Sequence, residues 1–139
     1  MQNIYQTTLL NSLTFEGVGL HSGKKSIIKI NPGVEDSGVV FKRVDLKQNN
    51  LIEANYKNVT SAKLCTTLQN KHGAKVSTVE HLLAALYIAE IDNVVIEIDN
   101  EEVPIMDGSA KIFLDSFSST EIKILTKKRK YIKILNKVE

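Results

Sequence analysis

The clearest periodic pattern of apolar residues lies between residues 77 and 89. The apolar positions recur at i, i+3, i+4, i+7 and i+8, and they are Val79, Leu82, Leu83, Leu86 and Tyr87. This spacing places them on one face of a helix and predicts an α-helix from about Thr78 to Ala89. Ser77 stands three residues before Glu80, which is the spacing of a capping box and puts the start of the helix here.

A second, shorter apolar stripe predicts another helix near residue 110. It consists of Ala110, Phe113, Leu114 and Phe117. The preceding loop, residues 103–109, carries Asp107 and Ser109, and either residue suits the N-cap position of this helix.

Runs of β-branched and other apolar residues, bounded by turn residues, predict strands in much of the remaining chain. The predicted strands are residues 26–30, 38–43, 51–54, 64–68, 93–98 and 121–125. The first of them ends at Asn31-Pro32-Gly33, which is a turn signal. Several strands and two helices predict an α+β fold, in which a mixed β-sheet carries both helices on one face.

Composition limits the classes of protein to which the chain can belong. Its 139 residues suit one domain, and its 42% hydrophobic and 24% charged content are ordinary for a globular protein. The net charge of +2 is too small to indicate nucleic-acid or anionic-membrane binding by itself. The single cysteine, Cys65, excludes an intramolecular disulfide and suits a reducing compartment. No apolar run approaches the roughly 20 residues of a membrane helix, and residues 1–6 lack signal-peptide features, so we expect a cytoplasmic protein without a membrane segment.

Glu80 and His81 form the first candidate site, in the first turn of the predicted helix. Adjacent helical positions point about 100° apart, so the two side chains can reach different atoms of one ligand. The positive end of the helix dipole disfavours a charged imidazole, which keeps His81 able to bind a metal ion. The structural alternative is a capping glutamate beside a surface or packed histidine. A catalytic zinc ion needs three protein ligands and the H-E-x-x-H pattern is absent, so this pair alone does not make a zinc site.

Residues 17–24 contain three glycines, His21 and Lys24. They match neither of the phosphate-binding patterns G-x-x-x-x-G-K-[ST] and G-x-G-x-x-G, and a predicted strand follows instead of a helix. We therefore predict a wide turn between two strands with glycines at positive φ. His21 remains a candidate because loops carry function more often than cores do. Cys65, on a predicted apolar strand, is expected to be a buried small hydrophobic residue.

The C-terminal residues combine a basic run with a strand-like segment. Residues 127–130 read Lys-Lys-Arg-Lys, which suits a solvated linker or, less commonly, a nucleic-acid patch. The run is short and Tyr131 is the only aromatic residue near it, so we expect no nucleic-acid partner. Residues 131–135 have the pattern of a strand that begins just where the sequence stops.

Four segments, in order along the chain, resemble one family of enzymes. They are residues 17–24, 64–68, 77–82 and 104–109, which read GVGLHSGK, LCTTL, STVEHL and PIMDGS. In this order they closely resemble the amino-terminal half of the UDP-3-O-acyl-N-acetylglucosamine deacetylases, which are zinc-dependent hydrolases of lipid A biosynthesis in Gram-negative bacteria. The resemblance extends from about Thr7 to Leu135. It implies hydrolysis of the acetamide of UDP-3-O-acyl-N-acetylglucosamine to acetate and a free amine, the committed step of that pathway.

The resemblance also implies roles for individual residues. Glu80 corresponds to the general base of the family, and His81 corresponds to its first zinc ligand. Leu64 and Cys65 correspond to residues beside the zinc ion and the departing acetate. His21 corresponds to a loop histidine at the mouth of the site, where the substrate binds.

The family fold consists of two similar α+β domains whose helices are sandwiched between the sheets, with the zinc ion at the junction. The resemblance implies that residues 1–126 form the amino-terminal domain and that residues 127–139 are the linker and first strand of a missing second domain. No histidine follows His81 in the sequence, so the other zinc ligands are missing with that domain. Asp107 corresponds to an acidic residue that mainly caps the second helix. We expect this chain alone to lack appreciable activity and to bind zinc weakly.

The alternative is a non-catalytic domain of the same fold that binds a partner or a nucleotide sugar. The presence of both Glu80 and His81 favours the catalytic interpretation. In either case, the helix faces that would pack against a second domain are expected to be exposed and to promote self-association.

Overall fold

The computed structural model describes residues 4–137. Within this range the strands are β1 (Tyr5–Leu9), β2 (Leu13–Val18), β3 (Lys25–Pro32), β4 (Val39–Arg43), β5 (Leu51–Glu53), β6 (Val59–Ser61), β7 (Thr67–Gln69), β8 (Lys75–Ser77), β9 (Val94–Ile98) and β10 (Ile122–Lys128). The helices are α1 (Glu80–Ile88), α2 (Lys111–Ser118) and a short 3-10 helix (Tyr56–Asn58). The predicted α+β class is confirmed. Among residues 4–137, no helix has both the length and the apolar character needed to cross a membrane.

A five-stranded sheet with the order β2-β3-β9-β4-β5 forms the body of the domain. β4 and β9 pair in parallel and the other neighbours are antiparallel, so the sheet is mixed, as predicted. Side chains alternate between its two faces. On β3, for example, Ile28 and Ile30 are buried whereas Lys29 between them is exposed. One face of the sheet therefore carries the core.

Both helices pack against this apolar face. Phe113 and Phe117 of α2, with Leu82 and Leu86 of α1, are almost fully buried and belong to one cluster with the sheet. The ring of Phe15 on β2 meets that of Phe113 edge-on, with the centroids 5.0 Å apart. Burying each of these side chains contributes about 1.5–3 kcal/mol, so the contacts hold both helices on the sheet.

Two smaller sheets complete the fold. β1 and β10 pair antiparallel, which places residues 5–9 beside residues 122–128. β6, β7 and β8 form a three-stranded antiparallel sheet. At the end of β8, Ser77 makes a parallel bridge with Glu102. The turn that precedes α1 is thereby tied to the segment that follows β9.

The apolar stripes predicted for the helices are mostly confirmed. On α2, Phe113 and Phe117 are buried, and the other two predicted residues pack partly against the core. On α1 the prediction fails at Tyr87, whose side chain is 85% exposed. The buried stripe of α1 is rotated toward Ala85, which is fully buried, and this rotation turns Tyr87 away from the sheet.

Five of the six predicted strands correspond to β3, β4, β5, β9 and β10. The sixth, residues 64–68, is wrong in its first half, because Leu64 has a φ of 69° and β7 begins only at Thr67. Cys65 therefore lies in a loop and is half-buried, instead of lying buried on a strand. Residues 131–135 form no strand within the described range, and residues 138–139 lie outside it.

Carboxylates of the same chain pair with much of the basic run at residues 127–130. The ion pairs are Lys127–Asp36 (2.6 Å), Lys130–Asp36 (3.4 Å), Arg129–Glu90 (3.2 Å) and Arg129–Asp92 (2.9 Å). β10 ends at Lys128, so the first two residues of the basic run belong to this strand. These pairs give the basic run a structural role in holding β10, while the domain boundary itself stays a prediction.

Candidate active site at the start of the first helix

Glu80 and His81 are the first two residues of α1, and a neighbouring loop orients the glutamate. Oε1 of Glu80 accepts a hydrogen bond from the backbone N–H of Thr66. Partial burial raises the pKa of Glu80, but hydrogen bonds from Thr66 and from its own N–H outweigh burial and leave the pKa below its ordinary value. Glu80 is therefore ionised at neutral pH, with the half-buried His81 next to it.

The capping box predicted at the start of α1 is wrong. The N-cap residue is Val79, and it makes no side-chain capping bond. The Ser77 hydroxyl instead donates to the carbonyl of Glu101 at 3.3 Å. The Ser77 N–H, to which a capping-box glutamate would bond, instead donates to the carbonyl of Glu101 at 2.8 Å.

The loop that reaches Glu80 also contains Leu64 and Cys65. Leu64 lies in the left-handed region at a φ of 69°, and its side chain is 86% exposed. Thr78, just before the helix, also has a positive φ of 57°. The Thr78 N–H donates to the carbonyl of Thr66 at 3.1 Å, so the two strained segments are bonded to each other. Backbone strain of this kind costs about 1–3 kcal/mol per residue and is concentrated at functional sites.

The glycine-rich segment forms a turn between β2 and β3, as predicted. The predicted positive φ is confirmed for Gly23 (63°) and is wrong for Gly17 and Gly19. Gly19 leaves room for Glu102, because a Cβ there would meet a carboxylate oxygen of Glu102 and the hydroxyl of Ser22, and these groups would have to shift. The His21 side chain is exposed, and its backbone N–H donates to Oε1 of Glu102 at 3.0 Å.

Glu102 joins the His21 turn to the turn before Glu80, and sequence reasoning missed it. Its side chain is 2% exposed, and its carboxylate also accepts bonds from the Ser22 N–H at 2.7 Å and the Thr78 hydroxyl at 2.8 Å. Burial raises the pKa of Glu102, but these bonds together lower it to about 2. The donors stand 80 and 24 residues away along the chain, so no local pattern marks Glu102.

Asp107 organises the loop before α2. Its Oδ1 accepts hydrogen bonds from the N–H and the hydroxyl of Ser109, at 3.0 and 2.9 Å. The Ser109 hydroxyl in turn accepts a bond from the Lys111 N–H at 3.0 Å. The N-cap residue is Ala110, which makes no side-chain bond, so the prediction of Asp107 or Ser109 as the N-cap is wrong. Asp107 instead bonds Ser109, and Ser109 bonds the N–H of Lys111 at the start of the helix. The bonds from Ser109 hold the pKa of Asp107 below its ordinary value.

The side chains at this site do not by themselves fit a catalytic zinc ion. Within residues 4–137, no three His, Cys, Asp or Glu side chains converge where they could hold a metal ion. His81 offers one imidazole and Glu80 lies next to it, whereas a catalytic zinc ion takes three protein ligands.

The structure brings the predicted site residues together to different degrees. Glu80 is bonded directly to the loop of residues 64–66, whereas His21 is connected to this region through Glu102. A cavity of about 560 Å³ lies at the other end of α1, beside Arg129, and none of the predicted site residues lines it. The candidate site is thus a surface at the start of α1, formed by three segments that are distant in sequence.

Comparison with known proteins gives one consistent result. Residues 6–139 match the family described as LpxC, UDP-3-O-acyl N-acetylglycosamine deacetylase. Relatives named UDP-3-O-acyl-N-acetylglucosamine deacetylase occur in Geotalea uraniireducens (46% identical over 128 residues), Aliivibrio fischeri (44% over 131 residues) and Wigglesworthia glossinidia brevipalpis (42% over 132 residues). The alignments cover 92%, 94% and 94% of this chain but only 41%, 43% and 44% of those relatives.

The chain therefore spans about two fifths of the length of the curated relatives it matches. The match nevertheless includes nearly every residue of this chain, and it contains all four segments on which the resemblance was based. The chain belongs to the UDP-3-O-acyl-N-acetylglucosamine deacetylase family.

Proposed function

We propose that this chain is the amino-terminal part of an enzyme that hydrolyses the acetamide of UDP-3-O-acyl-N-acetylglucosamine in cytoplasmic lipid A biosynthesis. The products are acetate and the free amine of the glucosamine. The observation that carries the proposal is the ionised Glu80 carboxylate, which a backbone bond orients beside His81 at the start of α1. The reaction is inferred from the name of the relatives, for example one that is 46% identical over 128 residues.

In this proposal Glu80 is the general base. An ionised carboxylate can accept the proton of the water molecule that attacks the acetamide carbonyl. The bond from Thr66 fixes one carboxylate oxygen and so limits the rotation of the side chain. Leu64 and Cys65, in the same loop, would flank the departing acetate, and the exposed His21 would contact the substrate at the mouth of the site.

We further propose zinc as the cofactor, with His81 as one ligand. Imidazole is a common zinc ligand, and catalytic sites combine three protein ligands with one open position. The described residues supply no such set, so the other ligands would come from the part of the relatives that this chain does not span. The chain alone would then bind zinc weakly and be inactive.

Turnover of UDP-3-O-acyl-N-acetylglucosamine tests the proposal. The purified chain is assayed alone and after mixing with the separately produced remainder of a relative, and bound zinc is measured in both samples. We expect turnover only in the mixture, and we expect Glu80→Gln to abolish it. His81→Ala should lower both bound zinc and turnover, whereas His72→Ala, at an exposed turn histidine, should change neither.

Two results would contradict this proposal. Turnover by the 139-residue chain alone would show that the site is complete without further residues. A mixture that binds the nucleotide sugar but never releases acetate would favour the non-catalytic alternative.

A further inference from the structure

We propose that Glu102 is a positioning residue that locks the His21 turn to the turn carrying Glu80, so that the two move as one unit. The relevance of this lock to catalysis rests on the proposed function above. The link between the two turns involves only residues of this chain, so it can be tested without an activity assay.

The carboxylate of Glu102 is the centre of the lock. On one side it accepts the backbone N–H groups of His21 and Ser22, at 3.0 and 2.7 Å. On the other side it accepts the hydroxyl of Thr78, at 2.8 Å. Bonds to an ionised acceptor are about twice as strong as neutral ones, and this acceptor is almost fully removed from water. A single side chain thus bridges two turns that share no strand.

The backbone of Glu102 is fixed on the Thr78 side of this bridge. The Ser77 N–H donates to the carbonyl of Glu101 at 2.8 Å, and the Val103 N–H donates to the carbonyl of Ser77 at 3.1 Å. The Glu102 side chain therefore starts beside the end of β8 and reaches across to the His21 turn. The position of the His21 turn therefore depends on the conformation of the Glu102 side chain.

Gly19 shows that the His21 turn is shaped around this carboxylate. A Cβ at Gly19 would occupy space taken by Glu102 and by the Ser22 hydroxyl. The Gly19 N–H also closes the turn on the carbonyl of Lys24, at 2.9 Å. The backbone can approach the carboxylate this closely only because residue 19 has no side chain.

The lock continues from Thr78 to the side chain of Glu80 through the backbone of Thr66. The Thr78 N–H donates to the carbonyl of Thr66, and the Thr66 N–H donates to the carboxylate of Glu80. The hydrogen-bonded path therefore runs from the His21 turn through Glu102, Thr78 and Thr66 to the proposed base. Loosening Glu102 should disturb both ends of this path.

Amide NMR spectra and hydrogen exchange of the full chain test the lock directly, with Glu102→Gln as the variant. Glutamine keeps the volume of the side chain but replaces one acceptor oxygen with an NH₂ group, which cannot accept the bonds. We expect at least tenfold faster exchange of the His21 and Ser22 amides, with shift changes in both 19–23 and 78–81. Glu101→Gln, at the exposed neighbouring carboxylate, is the matched control and should change neither segment.

A purely structural role would lower the unfolding midpoint without this paired local signature. The proposal is overturned if Glu102→Gln alters only one of the two segments, or if its spectrum matches that of Glu101→Gln.

A double-mutant cycle provides a second test. Gly19→Ala should lower the urea midpoint strongly in the wild-type background and less in a Glu102→Ala background, where the colliding carboxylate is gone. Equal shifts in the two backgrounds would contradict the proposed fit between the turn and the carboxylate. The Glu102→Gln spectra decide the question if a variant of this cycle does not fold.

The mixture assay separates this inference from the proposed function. If the wild-type mixture turns over substrate, Glu102→Gln should lower kcat at least tenfold with a smaller change in KM, because the base is displaced. If the wild-type mixture is inactive, the proposed function fails, and the amide measurements still decide whether the lock exists.

Discussion

Ser26 is a buried polar residue whose side chain is unpaired. It lies on β3 at 1% exposure, and its hydroxyl has no hydrogen-bond partner among the described residues. An unpaired buried hydroxyl costs about 1–3 kcal/mol, so we predict that Ser26→Ala raises the free energy of unfolding by about 1 kcal/mol in urea denaturation. Ser12→Ala removes an exposed hydroxyl bonded to Asn31 and should change stability by less than about 0.5 kcal/mol. A clear loss of stability in Ser26→Ala would contradict this account.

Glu102, in contrast to Ser26, is a buried polar residue whose side chain is fully paired. Its carboxylate accepts three hydrogen bonds. Its pKa falls from an ordinary 4.5 to about 2 on folding. A lowered pKa contributes stability above the unfolded-state value, and this contribution is lost as the pH falls toward the folded-state value. The shift corresponds to about 3 kcal/mol. We predict that the stability gap between wild type and Glu102→Gln is widest above pH 5 and narrows steadily down to pH 2.

Urea unfolding of the two proteins over a series of pH values checks this prediction. Every other carboxylate is common to both proteins, so its titration cancels in the difference. Glu101→Gln serves as the control and should show a small difference at every pH. A gap between wild type and Glu102→Gln that does not depend on pH would show that the charge of Glu102 is unimportant.

Among the elements, β10 is held largely by polar contacts, because nearly all of its side chains are exposed. Arg129, at its end, places Nε 2.9 Å from a carboxylate oxygen of Asp92 and donates from Nη2 to the carbonyl of Glu90 at 2.6 Å. We predict that Arg129→Ala lowers the free energy of unfolding by about 2 kcal/mol, because partly buried acceptors lose a charged donor. The rate of amide hydrogen exchange along β10 should also increase in this variant. Lys123→Ala, on the exposed side of the same strand, should leave exchange nearly unchanged.

The elements predicted correctly from sequence are those whose pattern reflects burial against one face. α2 and β9 show their buried residues at the spacing of their structure, and both were found. β1 was missed because its inward-facing residues include Gln6, Thr7 and Thr8, which are buried through hydrogen bonds and not through apolar character. The strand predicted to start at Leu64 is wrong there, because the positive φ of Leu64 cannot be predicted from the apolar residues around it.

In the whole molecule, the candidate site depends on contacts that join distant parts of the chain. The pair of Glu80 and His81 could be found from sequence because both residues lie in one turn of one helix. Their connection to His21 could not be found, because it runs through Glu102 and depends on the β8 bridge that only the folded chain forms. Local patterns thus pointed to the candidate residues Glu80 and His81, while the contacts that orient Glu80 appear only in three dimensions.

The surface beyond α1 leads to a prediction for the molecule as a whole. Tyr87 and Ile88 are 85% and 62% exposed, and they line one cavity together with the exposed Tyr131. In the relatives, whose length is more than twice that of the matched part, further residues are available to cover the corresponding face. We predict that this chain self-associates reversibly, so that its average mass in sedimentation rises with concentration above 15.5 kDa.

A charge placed on this surface should weaken the association. Ile88→Lys should raise the dimer dissociation constant at least tenfold, because burying an isoleucine contributes about 1.5–3 kcal/mol and burying a lysine costs more. Leu51→Lys, on the edge strand β5, is the control and should leave the dissociation constant unchanged. Adding the remainder of a relative should replace self-association with a one-to-one complex, since both partners would compete for the same apolar surface. A chain that stays monomeric at every concentration would show that this surface is too small or too well solvated to need a partner.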